Sequence, residues 1–196
     1  YIFETWHDTD LLAMALNNRA LGKIDTGDSL EAEKVLAEVA YLHTRRPIAP
    51  LNLNLVRLKE GQISLAEFLK NTTNLKDVAK KVILRVQGVA CLEYGGFIQD
   101  ILEEIHLLSP AEKDNDILLL EANLNYRMGH FIKARDLFKE IVKQNETSQE
   151  TWYRLGACSY ALKLPREAQQ AWEIGLRQKL PLWDLLIAYG MLLTSQ

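Results

Sequence analysis

The chain has 196 residues, a formal net charge of −3 and an apolar content of 48%. That apolar content excludes a disordered chain. The longest apolar runs, such as residues 117–120 and 185–188, are far shorter than the roughly 18 residues that a membrane-spanning helix requires. Basic and acidic residues are interspersed, so the charge gives no footprint for nucleic acid. These properties predict a folded segment that neither inserts into a membrane nor binds nucleic acid.

The start of the chain and its cysteines bear on location. No basic region precedes an apolar stretch after Tyr1, so no targeting signal is visible and an excised fragment is expected. Cys91 and Cys158 lack the spacing of a metal or redox site, which predicts small buried side chains and favours a reducing compartment. The localisation is not determined: the cytoplasm is favoured, and the periplasm stays open because a signal could have been removed.

Small residues recur at a step of 34 positions along the chain. The first series is Ala20, Asn54, Gly88, Ala122, Gly156 and Gly190. A series of turn glycines is Gly27, Gly61, Gly95 and Gly129, and a series of alanines is Ala32, Ala66, Ala134 and Ala168. Such a period predicts stacked helical hairpins, each of which buries its apolar face against its neighbours.

Five repeats are predicted in chain order, at residues 13–46, 47–80, 81–114, 115–148 and 149–182, followed by a terminal helix at 183–196. In the third, Asp100 stands in the small-residue position, so Ile101 is predicted to supply the packing one residue later. In the fourth, Gly129 separates two helices, and in the fifth, Pro165 begins the second helix.

The fifth repeat carries a recognisable motif. Trp152, Leu155 and Gly156 form the pattern W-x2-L-G in its first helix, and Ala168 and Trp172 form A-x3-aromatic in its second. This pattern resembles the tetratricopeptide repeat family. The fourth repeat is similar, although Glu121 stands where the family prefers Leu. The resemblance implies an all-α, right-handed solenoid of antiparallel helix pairs, extending over residues 1–196 as one superhelical domain.

The same resemblance implies a concave groove lined by the first helix of each repeat. In the later repeats it places in the groove Asn123, Tyr126, Arg127, Tyr153 and Tyr160. In the earlier repeats it places there Ile48, Leu51, Leu55, Leu58, Arg85, Val89 and Leu92. The aromatic and arginine side chains suit a peptide or partner segment. For the leucines of this second set, which we call the leucine row, an alternative is that their side chains form core between repeats.

The sequence gives poor signals for chemistry. Glu103 and His106 have the spacing of one half of a carboxylate-bridged metal site, but the second half is missing, so a helix-surface pair is expected. No catalytic residue, cofactor or metal ligand is predicted, and the chain is not expected to be an enzyme. Some members of the tetratricopeptide repeat family hold the acidic tails of heat-shock chaperones with a clamp of Lys, Asn and Arg side chains. In this chain the clamp is incomplete, because Leu119, Leu120 and Glu150 stand where donors are needed.

These observations predict a non-catalytic scaffold, adaptor or chaperone that binds a protein or peptide partner, within a complex such as a secretion, pilus or envelope assembly. One alternative is self-association through the C-terminal end of the stack, where the terminal helix is predicted to leave uncovered the apolar face of Leu182, Leu185, Leu186, Tyr189 and Leu193. Another is RNA binding, against which stand the acidic net charge and the absence of basic rows on the inner helices. The sequence does not identify the partner.

Overall fold

The computed structural model of the chain describes residues 6–41, 48–73, 75, 78–144, 148–177, 187–189, 191 and 193. These ranges contain helices and no strand, which confirms the predicted all-α helical-repeat fold. Their helices are α1 (Trp6–Asp25), α2 (Ser29–Tyr41), α3 (Ile48–Lys59), α4 (Leu65–Thr73), α5 (Lys80–Tyr94), α6 (Ile98–His106), α7 (Asn115–Arg127), α8 (Phe131–Lys143), α9 (Gln149–Ala161) and α10 (Pro165–Leu176). Within these same ranges, no helix combines the length and apolarity needed to cross a membrane.

The chain divides into two compact units between Tyr94 and Gly95. In the first unit, α1 to α5 pack as consecutive neighbours, and in the second, α6 to α10 do the same from α6·α7 to α9·α10. Helices that are joined by short turns and pack on each other are helical hairpins. Because the division falls within the predicted repeat 81–114, one continuous domain over 1–196 stays a prediction.

The turn between the two helices of a repeat recurs at the predicted period. At Gly129 the N–H donates to the Tyr126 carbonyl at 3.0 Å, and the His130 N–H donates to the Asn125 carbonyl at 2.9 Å. The same pair of bonds, 2.8–3.0 Å long, closes the turns at Gly27, Gly61 and Lys163. The predicted glycines Gly27, Gly61, Gly95 and Gly129 all have positive φ angles, from 70° to 81°. Lys163 follows Gly129 by one period and has a φ of 59° without being glycine.

Lys163 supplies a prediction about this turn. A side chain costs roughly 1–2 kcal/mol in the left-handed conformation, whereas glycine adopts it freely but loses more chain entropy on folding. Lys163→Gly is therefore expected to raise the free energy of unfolding by about 0.5–1 kcal/mol, measured by urea denaturation. Gly129→Lys is the matched control and should lower it. A less stable Lys163→Gly variant would contradict the role assigned to this turn.

Two repeats depart from the simple register. In the second, the predicted packing residue Ala66 is exposed, and Phe68 is buried in its place with 0% exposure. The cause is a longer turn, because α4 starts at Leu65, four residues after Gly61, whereas α8 starts at Phe131, two residues after Gly129. Ser64 and Glu67 fix that start through a reciprocal capping box. In the third repeat, Ile101 is buried and Asp100 is exposed, as predicted.

The fifth repeat is held by one large side chain. Trp172 of α10 is 3% exposed, and its Nε1 donates to the Tyr153 carbonyl of α9 at 3.0 Å. The indole lies directly against Gly156 of α9, where a Cβ atom would overlap it. The predicted pairing of a small residue with a large one across this hairpin is therefore present.

Candidate functional site

Aromatic and polar side chains on α7 and α9 form the candidate surface of the second unit. Arg127 is exposed at the C-terminal end of α7, and Tyr160 is 50% exposed near the end of α9. Asn123, Tyr126 and Tyr153 are half-buried. We call these five residues the α7–α9 surface; each was predicted from the sequence, and each keeps part of its side chain accessible.

Tyr126 has the most constrained position of the five. Its ring packs edge to face on Phe131 with centroids 5.8 Å apart, and the guanidinium carbon of Arg154 lies 5.7 Å from its centroid. Burial raises the pKa of the Tyr126 phenol, and Tyr153 and Cys158 add to that effect while Arg154 opposes it. The hydroxyl therefore stays protonated at neutral pH and can donate a hydrogen bond.

Two further groups shape this surface. The Asn123 side-chain oxygen is buried and has no hydrogen-bond partner. Tyr160 packs on Trp172 with centroids 6.0 Å apart, which fixes the ring while half of the side chain stays exposed. A buried acceptor without a donor costs about 1–3 kcal/mol.

The candidate residues of the first unit have mixed positions. Arg85 and Val89 of α5 and Ile48 of α3 are exposed, and Leu92 is half-buried. Leu55 is half-buried against the cluster of Leu58, Phe68 and Ala90.

Leu58 and Leu51 correct the predicted surface. Leu58 is 4% exposed and Leu51 is 1% exposed, so neither side chain can contact a partner. Leu58 packs with Phe68 of α4 and Ala90 of α5, so it forms core between successive repeats, which was the alternative for the leucine row.

A buried carboxylate that the sequence did not predict as a site residue lies elsewhere in the second unit. Glu121 of α7 is 4% exposed and lies 3.1 Å from Lys133 Nζ, 3.1 Å from His106 Nε2 and 3.7 Å from Lys113 Nζ. Burial alone would raise the pKa of Glu121, but the hydrogen bond from Lys133, the charges of Lys113 and Lys133 and the contact with His106 lower it overall. The carboxylate therefore joins α6, α7 and α8 as an ion-pair network.

Glu103 and His106 both lie exposed on the surface of α6, as predicted. His106 contacts Glu121 at 3.1 Å, and Glu103 accepts a hydrogen bond from Gln99 at 3.1 Å. In the part of the chain that the structure describes, no group of three or more His, Cys, Asp or Glu side chains could hold a metal ion. Cys91 and Cys158 are both buried, and burial raises the pKa of the Cys158 thiol to about 12.

Solved structures resemble this arrangement of helices. A fragment of MamA from Desulfovibrio magneticus RS-1 superposes with a TM-score of 0.65 at 13% identity, over 84% of this chain and 93% of that one. The tetratricopeptide repeat protein TTC0263 from Thermus thermophilus superposes with a TM-score of 0.63 at 16% identity, over 93% of this chain and 99% of that one. The chain has the tetratricopeptide repeat fold.

PilW, a type IV pilus biogenesis factor, has the same fold, with a TM-score of 0.75 at 11% identity over 93% of this chain and 86% of that one. No protein-family model and no curated protein matches this chain by sequence. Within the tetratricopeptide repeat fold, α7 and α9 are the first helices of two successive repeats. The α7–α9 surface is therefore the face that the sequence motif assigned to the groove.

Glu121 gives a prediction about stability and pH. Its pKa in the folded state is lowered from the ordinary value of 4.5, so its contribution is present above about pH 4.5 and is lost as the pH falls through the folded-state value. We expect the stability difference between wild type and Glu121→Gln to shrink as the pH falls below about 4.5, measured by urea denaturation at several pH values. Glu103→Gln, at an exposed site, should stay within about 0.5 kcal/mol. A difference that grows on acidification would contradict the network.

Proposed function

We propose that this chain is a non-catalytic protein-recognition module, a scaffold, adaptor or chaperone that binds a peptide segment of a partner on the α7–α9 surface. The observation that carries the proposal is the exposure of aromatic and arginine side chains on that surface. Tyr160 is half exposed on a ring that packs against Trp172, and Arg127 is exposed. Aromatic and arginine side chains of this kind dominate the energy of binding sites.

The side chains define the chemistry of the bound segment. Arg127 provides a guanidinium for a carbonyl or carboxylate oxygen, and the Tyr126 hydroxyl provides a donor. The tyrosine rings give apolar area at low entropic cost, because each ring has only two side-chain torsions. The segment therefore offers oxygen acceptors to Arg127 and Tyr126 and apolar side chains to the tyrosine rings.

The setting we propose is an assembly complex, such as a secretion, pilus or envelope complex. PilW is a type IV pilus biogenesis factor and has the same fold, which supports this setting. Repeat stacks present extended surfaces that bind other proteins. The proposal includes no catalytic step.

Site-specific photocrosslinking tests the proposal and identifies the partner. A photoreactive amino acid replaces Tyr160, and the crosslinked peptides are mapped by mass spectrometry. Leu107 is the control position, because it is 73% exposed at the end of α6 and lies outside the α7–α9 surface. We expect one partner segment to crosslink at Tyr160 and not at Leu107. Equal crosslinking at both positions, or none at Tyr160, would refute the proposed surface.

Self-association through the C-terminal end is a second candidate. It is favoured by Ile187 and Leu193, which are 59% and 50% exposed. Tyr189 is less available for contact with a second copy, since it packs beside Trp172 and its hydroxyl donates to Glu173 at 2.8 Å. Of the predicted apolar face, Leu182, Leu185 and Leu186 lie outside the described residues. Sedimentation equilibrium of the wild type and of the Ile187→Ser/Leu193→Ser variant tests self-association. A wild type whose molecular mass stays that of the monomer at every concentration would exclude it.

A further inference from the structure

A pocket of about 610 Å³ opens on the second unit beside the α7–α8 turn and the first three turns of α8. Its apolar wall consists of Phe131, Ile132, Leu137 and Leu162. Ile132 is 62% exposed, so a large apolar side chain borders open space. The volume falls within the range of pockets that hold small ligands or the anchor side chains of a partner. None of the five residues of the α7–α9 surface lines this pocket.

Two carboxylates line the same pocket on one side of α8. Asp136 and Glu140 are four residues apart, so they lie one helical turn, or about 6 Å, apart on the same face. Asp136 is paired with its neighbour Arg135 at 2.9 Å, and its side chain is 59% exposed. Exposed pairs of this type contribute little free energy, so a cation from a ligand can replace Arg135 at low cost.

Lys133 also lines the pocket, and an ion pair holds its ammonium. That ammonium lies 3.1 Å from the buried carboxylate of Glu121, which Lys113 also approaches at 3.7 Å, and 2.7 Å from His106 Nε2. The pocket presents an apolar wall next to two acidic side chains that face solvent.

We propose that this pocket is a second binding site, which takes a partner segment with one large apolar anchor and two basic side chains. The anchor packs between Ile132, Leu137 and Leu162. The basic side chains pair with Asp136 and Glu140, which requires a separation of about 6 Å, as at positions i and i+4 of a helix or i and i+2 of a strand. This site goes beyond the proposed function, because it uses other residues and the opposite charge preference from Arg127.

Selection from a phage-displayed random peptide library on the full chain tests the second site. Enriched peptides are synthesised with a fluorophore, and their affinity is measured by fluorescence polarisation. We expect enriched sequences to combine an aromatic or aliphatic anchor with two Lys or Arg residues. Their affinity should fall as ionic strength rises, because exposed charges are screened. Enrichment of peptides without basic residues, or no enrichment, would overturn the proposal.

Three variants locate the bound peptide. Ile132→Ser and, separately, Asp136→Lys/Glu140→Lys should each weaken binding at least about tenfold. Asp100→Lys/Glu103→Lys on α6 changes the net charge by the same amount at exposed positions outside the pocket, and should leave affinity within about twofold. An equal loss in the α6 variant would overturn the proposal, since it would reveal a nonspecific charge effect. Loss of binding in Tyr126→Ala/Arg127→Ala, with the pocket variants unaffected, would place the peptide on the α7–α9 surface and overturn the second site alone.

Discussion

Replacing Trp172 by alanine is expected to lower the free energy of unfolding by about 3–5 kcal/mol. Trp172 is 3% exposed, so alanine leaves a cavity between α9 and α10. The substitution also removes the donor to the Tyr153 carbonyl and the ring on which Tyr160 packs. Each of these losses acts on α9, the helix that carries two residues of the candidate surface.

Urea denaturation measures this effect. An equal slope of the free energy of unfolding against urea concentration in variant and wild type shows that the same unfolding transition is compared. Ile174→Ala is the matched control, because Ile174 lies on the same helix and is 41% exposed. It should change the free energy of unfolding by no more than about 0.5 kcal/mol. If Trp172→Ala also changed the free energy of unfolding by no more than about 0.5 kcal/mol, the indole would not hold the hairpin together.

The second large effect is expected for Gly156→Ala, which should lower the free energy of unfolding by roughly 1–3 kcal/mol through overpacking. The added Cβ would lie 2.6 Å from Trp172 Cε2, closer than real contacts allow. Alanine is otherwise the better helix former by about 0.8–1 kcal/mol, so helix propensity and packing predict opposite signs. Gly22→Ala in α1 separates them, because no atom lies within 4 Å of its Cβ position, and it should be stabilising.

Combining the two substitutions tests whether they act on one contact. In the Trp172→Ala background the added Cβ finds space, so Gly156→Ala should cost nothing or become stabilising. The difference between the two backgrounds is the interaction energy of the pair. Additive effects would mean that Gly156 is small for another reason. A stabilising Gly156→Ala in the wild type would contradict the packing of this hairpin.

Much of the fold could be predicted, because the turns and the tight helix contacts depend on residue size. Gly27, Gly61 and Gly129 form the same turn, since the left-handed conformation is easy for glycine. Ile101 was predicted to replace Asp100, because a buried position selects an apolar side chain. Ala66 was placed wrongly, since the turn before α4 is longer, with its end fixed by the capping box at Ser64.

The candidate site was predictable only in part. The positions of Tyr126 and Tyr160 followed from the repeat motif, which fixes the face of each first helix. The burial of Leu58 did not, because a leucine fits both a groove and a core. The network of Glu121 could not be predicted either, since Lys113, Lys133 and His106 come from three separate segments. The one signal was that Glu121 replaces an expected leucine, which indicates a buried charge with partners nearby.

Binding to the α7–α9 surface is the central claim, and the affinity of one combined variant tests it most directly. The partner segment is the one identified by crosslinking at Tyr160, and its affinity is measured by isothermal titration calorimetry. Asn123→Ala/Tyr126→Ala/Arg127→Ala should bind at least about tenfold more weakly, a loss of about 1.4 kcal/mol, while its helical content stays that of wild type. Arg166→Ala, at an exposed position of α10 outside the surface, should bind as the wild type does. Unchanged affinity in the folded triple variant would contradict the claim.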